Sequence, residues 1–119
     1  MPFVHVEYSE RLAETFDRQG FAREVHAAAP AIVDAPSLAF KTRFRRIEES
    51  YFGTGEDDID AVFIQLSILT GRTQQAREQL TETVLELARK HITPTPDRRL
   101  HFMVEVREME RESYRFHKD

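Results

Sequence analysis

The residues of this chain that could do chemistry are an imino acid near its start and a small set of cations. Pro2 follows Met1 directly. Once Met1 is removed, Pro2 carries a secondary amine on a rigid ring. An α-amino group titrates at about 7.7–8 in a free peptide, and burial and neighbouring cations push an amine lower. An amine that is neutral near pH 7 can take a proton and give it back, which is general acid–base catalysis. The ring itself is expected to add little to a core. Arg72 stands just before Thr73, a good helix N-cap. Free amides and the helix dipole favour anions there, and a guanidinium can grip a carboxylate with two parallel hydrogen bonds. Lys41, Arg43 and Arg45 alternate, so on a strand all three share one face. Such a trio needs an anionic partner: either a dianionic substrate, or Glu7 and Glu105 on neighbouring strands.

Other chemistries find no support. The 5 histidines show no metal-ligand spacing on one helix. Glu56, Asp57, Asp58 and Asp60 read as a solvated loop, because no calcium-loop pattern fits them. There is no glycine-rich phosphate loop and no Ser/His/Asp nucleophile motif. No metal is expected.

Hydrophobic periodicity supplies the elements that must position these residues. Phe3 to Tyr8 alternates, with Val4, Val6 and Tyr8 on one face and Phe3, His5 and Glu7 on the other, so it predicts a strand. Ser9 to Phe16 reads as an irregular turn. Asp17 can cap a helix with an apolar stripe at Phe21, Ala22, Val25, Ala28 and Ala29, and Pro30 should end it. After Ala35 and Pro36, a second strand carries Leu38, Phe40, Thr42 and Phe44 on one face and Ala39, Lys41, Arg43 and Arg45 on the other. Glu48 to Asp60, with Gly53 and Gly55, reads as a loop. Ala61 to Leu69 is a third strand, with Val62, Ile64, Leu66 and Ile68 on one face. Thr73 opens a helix along Ala76, Leu80, Val84, Leu87 and His91, which ends at Ile92-Thr93-Pro94. Arg98 to Glu108 is a fourth strand. The last ten residues are highly charged, with Tyr114 and Phe116 as anchors.

The order β-α-β-β-α-β suggests the split βαβ, ferredoxin-like layout of the α+β class, a four-stranded sheet with both helices on one face. That face would carry Val4, Val6, Phe40, Phe44, Ile64, Leu66, Phe102 and Val104. The other face mixes charges, with His5, Glu7, Lys41, Arg43, Arg45, Gln65, Ser67, His101 and Glu105. It is either wet or meets other subunits. The two halves repeat a β-α rhythm, which suggests a pseudo-twofold unit.

Composition fits a single domain over residues 1–119. At this length the buried fraction is modest, so partner subunits would help. Hydrophobic residues make up 40% and charged residues 32%, as in soluble domains. A formal charge of −4 gives no global attraction to nucleic acid or anionic membrane. There is no cysteine, which excludes disulfides and thiolate chemistry. Neither a spanning apolar run nor a signal-peptide pattern is visible, so a cytoplasmic location is expected.

Several of these segments look familiar together. Met1-Pro2, the strand Phe3-Val4-His5-Val6 and then Glu7-Tyr8-Ser9 resemble the start of 5-carboxymethyl-2-hydroxymuconate isomerases. Ala61 to Leu66 followed by Gly71-Arg72-Thr73 resembles their third strand and Gly-Arg-Ser/Thr helix start. Leu85-Glu86-Leu87 and the Phe102 to Val106 strand also fit. The resemblance runs nearly end to end. It implies a tautomerase-like fold, a homotrimer whose open sheet face is buried inside a threefold ring, and a cofactor-free proton shift on an unsaturated di- or tricarboxylate from aromatic-acid breakdown. By that resemblance Pro2 is the proton carrier, Arg72 binds and polarises substrate, and Lys41 and Arg43 bind carboxylate. Members commonly read Ile-Arg-Ser-Arg where this chain reads Phe40-Lys41-Thr42-Arg43, so Lys41 replaces an arginine and loses its planar two-pronged grip. A tautomerase with a different substrate and a non-catalytic trimer are the alternatives.

Overall fold

Strand β1 (Phe3–Ser9) alternates in burial along its whole length, as its period-two sequence requires. It is central: β2 (Lys41–Ile47) pairs with it in parallel on one side, and β3 (Ile59–Leu69) antiparallel on the other. Strand β4 (Arg99–Met109) pairs in parallel with β3, giving the order β2-β1-β3-β4. Helix α1 (Arg18–Val33) connects β1 to β2, and α2 (Gln74–Lys90) connects β3 to β4. The computed structural model describes residues 2–119, and the expectation that Met1 is removed lies outside the described residues.

This pairing corrects the ferredoxin-like layout. In a split βαβ unit another strand lies between the two parallel strands. Here each pair joined by a helix is directly adjacent, and the two units meet at the antiparallel β1–β3 seam. Element order alone is the same in both arrangements and does not say which strands pair. The seam relates the halves by the expected pseudo-twofold. The amide of Lys41 donates to the carbonyl of Pro2 at 3.1 Å, and at the matching place in the other half the amide of Arg99 donates to Asp58 at 2.8 Å.

Both helices cover one face. Val4, Val6, Tyr8, Val62, Ile64, Leu66 and Ile68 from the sheet pack against Phe21, Val25, Ala29 and Val33 of α1 and Leu80, Val84 and Ala88 of α2. Tyr8, Phe16, Phe21 and Phe44 meet edge-on with centroids 5.6–6.4 Å apart, the arrangement that ring quadrupoles favour. The expected caps form: Asp17 Oδ1 accepts from the Gly20 amide at 3.0 Å, and Thr73 Oγ1 from the Ala76 amide at 3.1 Å.

Three boundaries differ from the sequence reading. Helix α1 runs through Pro30 to Val33. Proline cannot donate to the carbonyl four residues back, which is that of His26. The Ser37 hydroxyl donates to that carbonyl instead, at 2.7 Å. The second strand starts at Lys41, because Ser37–Ala39 forms a short 3-10 turn closed by the Phe40 amide on Ser37. Leu38, expected on the buried face, is consequently 84% exposed, and Ala39 is buried. The third strand starts at Ile59, so Asp60 is not in a solvated loop: it is 2% exposed. Its carboxylate takes two hydrogen bonds from Arg98, at 3.1 and 3.0 Å. Glu56 does lie in an exposed turn, where its carboxylate accepts from the Thr54 amide and hydroxyl.

The Asp60–Arg98 fork ties the start of β3 to the residue before β4. Asp60→Ala would leave a guanidinium without its anion at a mostly buried place. Urea denaturation is expected to show a loss of about 3 kcal/mol, at the low end for a broken buried pair because Arg98 still reaches water. An unchanged midpoint would mean that the pair does not hold this corner.

Candidate active site

Pro2 extends β1 and follows its parity, so the ring points to the helix side like Val4. It is among the fully buried side chains, contrary to the expectation that it adds little to the core. A ring buried this way fixes the strand terminus that presents the nitrogen. Phe3 stands beside Lys41 in register, so the Lys41 side chain leaves the sheet on the opposite, open face. Arg43 lies two residues further along that face, beside His5.

Arg72 reaches the same end of the sheet from the other side of β1. Strand β3 ends at Leu69, and Gly71 turns the chain at φ 120°, a conformation glycine takes without steric cost. The Arg72 guanidinium then does something the sequence did not suggest. Its Nε donates to the Val33 carbonyl at 2.8 Å, and Nη1 to the Leu69 carbonyl at 3.1 Å. Val33 is the last residue of α1, whose final turn contains no basic residue. Arg72 therefore answers a helix C-terminus that lacks a cation of its own. That missing basic residue was the only sequence signal for this role. A guanidinium has five N–H donors, so this capping leaves others free for an anion.

Pro2, Lys41 and Arg72 thus share one end of the sheet. Arg43 points instead into a shallow trough on the open face, of about 730 Å³, with His5, Glu7, Arg45, Phe63 and Glu105 among its walls. Neither Lys41 nor Arg72 is within ion-pair distance of a carboxylate among the described residues. The opposite end behaves differently. There Arg98 pairs with Asp60 and Arg99 with Asp58, the latter at 2.6 Å. These hydrogen bonds raise both guanidinium pKa values, and Arg99 lowers that of Asp58. Lys41 and its counterpart in the other half, Arg99, therefore differ: Arg99 is paired with a carboxylate, and Lys41 is not.

Two features of the Pro2 end complete its surroundings. His26 Nε2 lies 2.8 Å from the Thr42 hydroxyl, and burial lowers its pKa, which favours the neutral ring. Tyr114 and Phe116, expected as anchors, contact Phe3 and Lys41 respectively. Among the described residues no group of three or more acids or histidines is placed to hold a metal ion. No helix there is long and apolar enough to cross a membrane.

A sheet of two adjacent βαβ units, with both helices on one face and a proline at the head of the central strand, is the tautomerase fold. The solved 5-carboxymethyl-2-hydroxymuconate isomerase of Deinococcus radiodurans R1 superposes with a TM-score of 0.83 at 20% identity, over 99% of this chain and 90% of that one. A fused 4-OT described as a symmetric trimer superposes with 0.74 at 11% identity, over 92% and 87%. In sequence, the 5-carboxymethyl-2-hydroxymuconate Delta-isomerase of Escherichia coli is 27% identical over 100 residues, 84% of this chain and 79% of that protein. The model of the 5-carboxymethyl-2-hydroxymuconate isomerase family matches residues 2–118. The chain belongs to that family of isomerases.

Arg72 is bonded into the fold, so its removal should be felt in stability as well as in turnover. Arg72→Ala is expected to cost about 2 kcal/mol in chemical denaturation, the scale of hydrogen bonds from a charged donor. Arg72→Lys should recover part of it. A variant of unchanged stability would show that the α1 terminus does not need this cap.

Proposed function

We propose that this protein catalyses a keto–enol or 1,3-proton shift on an unsaturated di- or tricarboxylate such as 5-carboxymethyl-2-hydroxymuconate, with the amine of Pro2, freed by removal of Met1, as the proton carrier. The observation that carries the reading is the charge asymmetry just described. Lys41 and Arg72, neither paired with a carboxylate, stand at the end of the sheet where Pro2 begins β1, whereas Arg99, the counterpart of Lys41 at the other end, is paired with Asp58. Unpaired cations disfavour protonation of a nearby amine and attract an anionic substrate.

In this mechanism the neutral Pro2 nitrogen takes the proton, the negative charge spreads over the conjugated system as a dienolate, and the same nitrogen returns the proton at another atom. The substrate is rearranged without net oxidation. Arg72, through the donors its capping role leaves over, and Lys41 hold carboxylates and stabilise the dienolate charge. Arg43 would join them from further along the open face that Lys41 shares. Lys41 favours a second reading within the same class. A point charge in place of the family's planar arginine suits a different carboxylate substrate.

Pro2→Ala should lower kcat by about a hundredfold, within the range assigned to general acid–base catalysis. The residual rate reflects the alanine amine that remains. Wild-type turnover in this variant, measured on protein whose mass shows Met1 removed, would end the proline mechanism.

The functional form is proposed to be a homotrimer. The open face holds Glu7, Arg43 and Arg45, which form no ion pair among the described residues, and Phe63 there is 46% exposed. Partner subunits would pair those charges and cover that ring. Sedimentation at micromolar concentration should give three times the monomer mass; a stable monomer would overturn the assembly.

A further inference from the structure

After β4 the chain does not run out into solvent. It turns back across the open face of the sheet, at the end where β1 and β2 begin. Three contacts fasten it. Arg111 Nε donates to the Thr70 carbonyl at 2.9 Å, just beyond β3. The Tyr114 ring meets Phe3 of β1 edge-on at 6.2 Å. The Phe116 ring lies 5.7 Å from the Lys41 ammonium of β2. The segment thus crosses the sheet from β4 to the far edge strand. Ser67, beside Phe3 in register on this face, is only 7% exposed.

Lys41 needs such a partner. Its stem has four rotatable carbons and an exposed head, and Arg43, two residues on along the same face, repels it. Among the described residues no carboxylate pairs with it. An arginine at this place would orient itself through its planar fork, but a lysine has no such preorganisation. The face of an aromatic ring attracts a cation within about 6 Å of its centre. It consumes no acceptor oxygen, so N–H donors remain for a substrate carboxylate.

We propose that Phe116 is a positioning residue for Lys41, and that residues 110–119 thereby set the preference of the site for a substrate with a carboxylate at its far end. This rests on the isomerase reading above. The ring restricts the lysine head to the mouth of the site, and Tyr114 on Phe3 holds the segment in place. The residue that replaced a family arginine is compensated by an aromatic contact from the C-terminal segment.

The test is steady-state kinetics on the full chain with two compounds: 5-carboxymethyl-2-hydroxymuconate, and the enol of phenylpyruvate, which has one carboxylate. Phe116→Ala should raise KM for the first by about two- to fivefold, the range for an exposed cation–π contact. It should leave kcat within about twofold and KM for the second compound unchanged. Phe116→Trp should behave as wild type, and Phe116→Leu, which keeps bulk but no π face, should resemble the alanine variant. In a Lys41→Ala background Phe116→Ala should add nothing. An unchanged KM, a leucine variant equal to wild type, or the same rise without Lys41 would each overturn the proposal. Absence of wild-type turnover on both compounds would instead bring down the isomerase reading, and this proposal with it. Phe116 is half exposed. The upfield ring-current shift of the Lys41 ε-methylene protons, expected in wild type and lost in Phe116→Ala, reads the contact independently of activity; its absence in wild type also overturns the proposal.

Discussion

The register of β1 between its two neighbours is the constraint on which the rest of the molecule depends. Phe3 stands opposite Lys41 on one side and Ser67 on the other. A slip of one residue would send every side chain of β1 to the other face. Val4, Val6 and Tyr8 would leave the core, and the Pro2 ring would leave its buried place. That register also fixes which chain ends meet. β2 starts where β1 starts, because the two run parallel, and β3 ends there, because it runs against them. Lys41 and the Gly71-Arg72 turn are therefore delivered to the Pro2 end by strand direction alone. Residues separated by about 70 positions come together without any long-range contact made for that purpose.

The same topology delivers cations to both ends of the sheet, and the chain treats the two differently. At the Asp58 end Arg98 and Arg99 are locked by bidentate carboxylates, which serve stability and offset the charge of those two side chains. At the Pro2 end Arg72 is held by neutral carbonyls, which fix its geometry but do not cancel its charge. A carbonyl-anchored arginine is both rigid and still cationic, and a carboxylate-anchored one is only rigid. That distinction separates Arg72 from the Arg98–Asp60 clasp.

What the sequence made legible was what is local. Alternation in Phe3 to Tyr8 and Ala61 to Leu69 assigned both central strands and their faces. Asp17 and Thr73 marked both helix starts, and the family was recognisable from motifs spread along the chain. Apart from the local turn at Ser37–Ala39 that exposes Leu38, the misreadings depend on partners outside the segment being read. Pro30 reads as a helix stop until Ser37 is found to satisfy the carbonyl it strands. Asp60 reads as a loop acid until Arg98, 38 residues on, is seen to bury it. The ferredoxin-like layout followed from an element order that is silent on pairing. At the candidate site, residue type and the family resemblance singled out Pro2, Lys41, Arg43 and Arg72, but the burial of the Pro2 ring and the α1 cap made by Arg72 were not legible. Each depends on where an element from elsewhere in the chain comes to rest.

Anchoring Arg72 in the fold also bears on how the proposed chemistry would run. A base must be neutral to accept a proton and must become cationic when it does. Cations nearby help the first requirement and oppose the second. Substrate carboxylates that settle on Lys41 and Arg72 offset those charges while the substrate is bound, so the environment becomes more tolerant of a positive amine at the moment of transfer. The negative charge that leaves with the proton, spread over the dienolate, lies against the same cations and gains from them as it forms. An arginine already held by Val33 and Leu69 needs no reorganisation to do this. Lysine at position 41 lacks that advantage unless something else holds it, and the aromatic contact from the C-terminal segment falls on this cation.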